Sequence, residues 1–205
     1  MGSLVPALAL ALAALYGVFL WWYGGRGKPL GAGEIDAGLR ALADAAGSGQ
    51  QELLDQVRDL LNHDDGREFV MVNLVRYRPK ALYPPGQGFD DDARAADRRY
   101  GRAILPLLLR CGSMPVFVAR RAGRFIEPPL ADAWHYVALV RYRSRRDFLR
   151  FALAIEQRNI TMHKWAALEK THVFPLRPLI SLIFVRAAVA GLLLLIGGLI
   201  WQIAA

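Results

Sequence analysis

Leu74-Val75-Arg76-Tyr77-Arg78 recurs as Leu139-Val140-Arg141-Tyr142-Arg143, and this internal echo decides how the middle of the chain is read. Each copy closes a run rich in β-branched and aromatic residues, Phe69 to Arg78 and Trp134 to Arg143, which predicts a strand. After the first copy, Asp90-Asp91-Asp92 suits a helix N-terminus, where carboxylates meet the positive end of the macrodipole. That helix reads through about Arg110, stops at Gly112 and leads into a strand from Met114 to Arg120. Pro106 is expected to kink or divide it, because proline has no N–H to donate. After the second copy, Ser144 and Asp147 start a helix bearing Phe148, Phe151, Ala152 and Ile155. A further turn runs through Leu168, and a last strand is expected from Lys170 to Leu176. The order β-α-β-β-α-β is a split βαβ pair, an α+β domain.

Upstream, Gly24 to Gly33 is a Gly/Pro linker. Ile35, Leu39, Leu42 and Ala46 keep helical spacing, as do Leu53, Leu54, Val57, Leu60 and Leu61, with Gly47-Ser48-Gly49 between them. Ser48 and Gln51 form a capping box for the second helix. This amphipathic hairpin is expected to be packing surface, against the following domain or the membrane. The Asn62-His63-Asp64-Asp65-Gly66 loop lacks the remaining positions of a calcium loop and reads as a solvated turn.

The ends have a different chemistry. The chain has 205 residues, 54% of them hydrophobic, yet residues 1–25 and 187–205 contain no Asp, Glu, Lys or Arg. That composition excludes a disordered, collagenous or disulfide-scaffold chain. Residues 3–23 end on Trp21, Trp22 and Tyr23 and are long enough for a retained transmembrane helix with aromatics at headgroup depth. Met1 and Gly2 lack the positive charge of a signal peptide, and Pro6 stands where a myristoylation motif needs Ser or Thr. Residues 179–203 form the second expected span, with Arg186 snorkelling to the headgroups and Gly191, Gly197 and Gly198 open to a neighbouring helix. The organisation is therefore a span at 3–23, a linker and hairpin at 24–66, the α+β domain at 67–178 and a span at 179–203.

Arg26 and Lys28 follow the first span, Arg177 and Arg186 precede or enter the second, and neither outer end carries a positive charge, so the soluble part is expected in the cytoplasm with both termini outside. Cys111 is the single cysteine, so no intramolecular disulfide is possible and an oxidising compartment is not implied. Of 26 basic residues only Arg186 falls in a span, leaving 25 against 18 acidic ones, so the soluble part carries +7. A basic tethered domain points to anionic lipid headgroups, and no nucleic-acid motif appears.

Residues 68–177 resemble a known family. The strand Phe69-Val70-Met71-Val72-Asn73-Leu74-Val75-Arg76-Tyr77, the Tyr100-Gly101-Arg102 segment before Leu107-Leu108-Leu109, the strand Pro115-Val116-Phe117, and His163-Lys164-Trp165-Ala166-Ala167-Leu168-Glu169 look like DUF1330-type proteins of the dimeric α+β barrel superfamily. The resemblance implies a ferredoxin-like domain whose sheet pairs with a second copy as a homodimer. The superfamily spans cofactor-independent monooxygenases, haem-degrading enzymes and members with no known activity.

Three functions follow as expectations. The first is a binding or assembly module at the bilayer, with a membrane-protein partner. The second is a haem- or oxygen-dependent monooxygenase-like enzyme on a hydrophobic molecule. By resemblance to haem-degrading members its catalytic residues are Asn73 and His163, with His163 the haem ligand. The third is an anionic-lipid module read by Arg76, Arg78, Arg141 and Arg143. His135 and His172 fall on strands and no histidine pair has helical metal-site spacing, so no metal site is expected.

Overall fold

The computed structural model describes residues 4–24, 27–46, 51–179 and 184–204. Ser48 of the expected capping box and Arg26 fall outside them. The chain divides into two compact units, Met1–Gly25 with Pro178–Ala205, and Arg26–Arg177.

In the first unit, α1 (Leu4–Gly24) and α7 (Val185–Ala204) pack together. Val5–Gly24 and Val185–Ile203 are each long and apolar enough to cross a membrane. A Cβ on Gly197 would meet Leu12 Cδ1 at 2.7 Å, so this glycine sets the closeness of the two helices. The Arg186 guanidinium lies 4.7 Å from the centroid of the Tyr23 ring.

The second unit is built on a four-stranded antiparallel sheet of β1 (Phe69–Tyr77), β2 (Met114–Arg120), β3 (Tyr136–Tyr142) and β4 (Leu168–Leu176), in the order β2-β3-β1-β4. With α4 (Ala93–Arg110) after β1, and α5 (Arg145–Glu156) and α6 (Thr161–Ala167) after β3, this is the ferredoxin-like order. Phe69, Met71, Val140 and Tyr142 turn to the helices and form the main core with Leu107, Leu108, Phe151 and Ile155. Period two sends Val72, Leu139, Phe117 and Phe174 to the other face.

Local chemistry explains the boundaries. Asp92 caps α4 by accepting from Arg94 N, and Ser144 caps α5 by accepting from Asp147 N. Gly112, at φ 61°, ends α4 in a Schellman turn: its N–H donates to the Leu109 carbonyl, and Ser113 N–H to that of Leu108. Pro106 does not divide α4, because it lies on the exposed side and leaves the buried Leu107 and Leu108 in register.

The hairpin of α2 (Ala32–Ala46) and α3 (Gln51–Asn62) covers the domain itself: Ile35, Leu39, Leu42, Val57 and Leu61 pack on Leu149 and Ala152 of α5. The loop read as a solvated turn is instead an ion-paired junction. Asp64 accepts from Leu30 N at 2.8 Å, and Arg145 reaches Asp65 at 3.2 Å while Arg177 pairs with the same carboxylate.

Candidate functional site

Between the helix-facing side of the sheet and the helical layer lies a cavity of about 290 Å³. Its floor is Met71, Asn73, Thr171 and Val173, and the hairpin roofs it with Leu42, Leu54 and Val57. Phe148, Phe151 and Glu156 of α5, Tyr100 of α4, and Thr161, Lys164 and Trp165 of α6 stand in its wall. A mainly apolar and aromatic wall with a few polar groups is the usual character of a small-molecule site.

Asn73 reaches this cavity as the alternation of β1 requires. Its amide nitrogen donates to the Met71 and Ala138 carbonyls at 3.2 and 3.4 Å, which leaves the side-chain oxygen as its acceptor. Lys164 makes no ion pair among the described residues; its Nζ stands 5.0 Å from the Trp165 ring centroid. Burial pushes this ammonium below its usual range, against the opposing fields of Glu156 and Asp97. Burial likewise pushes the Tyr100 phenol up, with the Asp97 and Glu156 fields adding to it. Asp97 itself is raised by burial even though it accepts from Tyr77 Oη at 2.8 Å and Tyr136 Oη at 3.1 Å.

His163 does not share the cavity wall. Its Nδ1 lies 2.8 Å from the Tyr83 hydroxyl, and its ring meets Tyr83 and Phe89 edge-on. The structure therefore does not bring Asn73 and His163 to opposite sides of one space, and the residues do not fit a haem held between them.

The four arginines of the echo also separate. Because β1 and β3 are antiparallel, with Phe69 opposite Tyr142 and Val75 opposite Tyr136, the two copies end at opposite ends of the sheet. Arg76 and Arg78, with Arg94, His135, Asp92 and Glu169, line a polar cavity of about 440 Å³. Arg76 is held there by Glu169 at 3.0 Å. Arg141 is 3% exposed and donates to Glu68 at 3.1 Å and to the Gly112 carbonyl at 2.7 Å. Arg143 pairs with Asp147 at 2.7 Å. These two guanidiniums tie β3 to the α4 turn and to α5, which corrects their reading as members of one anion site with Arg76 and Arg78. Among the described residues no cluster of His, Cys, Asp and Glu is placed to hold a metal ion.

Lys164, Tyr100 and Trp165 went unrecognised as site residues in the sequence. Lys164 and Trp165 belong to a motif that pointed to a family, but only the packing of α6 beneath the hairpin gives them a common space.

No protein-family model matches this chain, and none of the curated proteins does. Among solved structures it is similar to RPA0582, a protein of unknown function from Rhodopseudomonas palustris, with 28% identity and a TM-score of 0.56 over 65% of this chain and 97% of that one. The methylated RPA0582 protein gives 28% identity and a TM-score of 0.55 over 65% and 94% of the two chains. A dabb family protein with a ferredoxin-like fold from Mesorhizobium loti matches at 11% identity and a TM-score of 0.35, over 55% of this chain and 98% of that one.

Proposed function

We propose that this chain is a two-span membrane protein whose soluble unit is a DUF1330-like dimeric α+β barrel, and that it acts as a binding module for a small molecule with a largely apolar body. The cavity between sheet, α6 and hairpin carries this reading. The hairpin supports it further, since a helical pair added ahead of the α+β domain supplies the roof. The dimer is supported by the apolar open face of the sheet, where Phe117 and Phe174 stay half exposed. The cytoplasmic placement of the soluble unit rests on Lys28 and Arg177 beside the two apolar helices.

The test is thermal unfolding of the full chain in a non-ionic detergent during titration with octanamide, a neutral probe. A saturable rise in Tm is expected for the wild type, since a ligand that binds only the folded state stabilises it. Ala46→Trp, which places an indole at the cavity wall, is expected to abolish the rise. A wild-type Tm that responds neither to octanamide nor to octanoate overturns the reading.

A further inference from the structure

We propose that the occupant of the cavity carries a carboxylate held by Lys164, which makes the ligand class a short amphiphilic carboxylic acid. This rests on the cavity being a ligand site and goes on to name its chemistry.

The wall holds one cation, Lys164, and one carboxylate, Glu156. Among the described residues Lys164 makes no ion pair, and the two acids whose fields reach it accept hydrogen bonds from hydroxyl groups. Asp97 accepts from the Tyr77 and Tyr136 hydroxyls, and Glu156 Oε2 accepts from Thr161 Oγ1 at 3.0 Å. Lys164 is half-buried in a largely apolar wall and its ammonium stays open to a charged ligand. A ligand carboxylate would accept a charge-assisted hydrogen bond from it. The Tyr100 hydroxyl, which makes no hydrogen bond among the described residues, is a second donor in the same wall.

The geometry also orients the ligand. Lys164 Nζ sits by the Trp165 ring, and Trp165 is 47% exposed, which puts the cationic end of the wall at the cavity mouth. Leu42, Val57, Phe151 and Ala152 are buried and form the apolar end. The Asn73 side-chain oxygen is an acceptor and repels a carboxylate from the floor, so the charged head lies toward Lys164 and the tail runs under the hairpin. With roughly 30 Å³ for each non-hydrogen atom, as for water in the liquid, the space suits about ten such atoms. Octanoate has that size.

The experiment compares octanoate with octanamide, which differ in charge and hardly in shape, by the Tm shift of the full chain in a non-ionic detergent. Wild type is expected to bind octanoate at least about tenfold more tightly, a difference of about 1.4 kcal/mol. Lys164→Met is expected to remove that preference, with the circular dichroism spectrum as its folding control; Lys164→Gln is the second variant. Equal wild-type affinity for the two probes overturns the carboxylate proposal and leaves the cavity reading standing. Failure of both probes to bind overturns the cavity reading as well.

Discussion

Gly38 on α2 and Leu149 on α5 face each other with no room for a methyl group: a Cβ on Gly38 would stand 3.2 Å from Leu149 Cγ and closer still to Cδ2. This approach seats the hairpin on the domain and so fixes the cavity roof. Gly38→Ala gains up to about 1 kcal/mol of helix propensity but overpacks a buried contact at a cost of about 1–3 kcal/mol. A net loss of stability is expected in thermal unfolding. Pairing it with Leu149→Ala should give a double mutant more stable than the two single changes summed, and strict additivity would contradict the contact.

His163 and Tyr83 share a hydrogen bond away from the cavity, so His163→Ala is expected to leave octanamide affinity unchanged while costing about 1 kcal/mol of stability. Burial and, after it, the Arg99 charge lower the His163 pKa from its usual 6.5. The folded chain then holds fewer protons than the unfolded chain across that window, so this group makes stability fall as pH drops below 6.5. Unfolding curves at pH 5 and pH 8 should show the wild type losing more than His163→Gln on acidification. Loss of octanamide binding in His163→Ala would contradict the placement.

Lys164 gives the opposite trade between stability and function. Its folded pKa lies below the usual 10.5, so the unfolded chain binds more protons between the two values and stability rises with pH through that window. Below the window the charged ammonium is a cost. Lys164→Met is therefore expected to raise the Tm of the ligand-free chain at pH 7, by an amount that shrinks as pH climbs toward 10.5. A variant less stable than wild type at pH 7 would contradict a half-buried cation without an ion pair.

Phe117 and Phe174 lie on the sheet face opposite the helices, 50% and 42% exposed. If two sheets pack face to face, each ring contributes about 2 kcal/mol to association. Phe117→Glu with Phe174→Glu is expected to halve the protein mass measured by light scattering in detergent, with the helical content of the circular dichroism spectrum unchanged. A mass equal to that of the wild type would contradict the barrel dimer.

The fold was legible because its signals are local. The echoed strands, the Ser144 cap, the Asp92 N-terminus and the Gly112 stop all act within a few residues, and each one recurs in the structure. The pairing of Arg141 with Glu68 was not legible, since period two alone sends Arg141 to the open face, and only the α4 turn supplies the Gly112 carbonyl that buries it. The site was legible in one residue. Asn73 stood out as an amide on an apolar strand face, whereas Lys164 and Tyr100 take their meaning from a roof contributed by α2 and α3, distant in sequence. Asp65 looked solvated for the same reason, because its partners Arg145 and Arg177 arrive from far along the chain.

The most direct measurement uses the methionines. The chain has four, at positions 1, 71, 114 and 162, and Met71 is on the floor of the cavity while Met114 and Met162 are not in its wall. With the full chain labelled at the methionine methyl groups, titration with octanamide is expected to shift the Met71 resonance saturably and to give nuclear Overhauser contacts from the probe to that methyl alone. A Met71 resonance that stays in place, or contacts spread equally over the other methionines, would contradict a ligand site between the sheet and the hairpin.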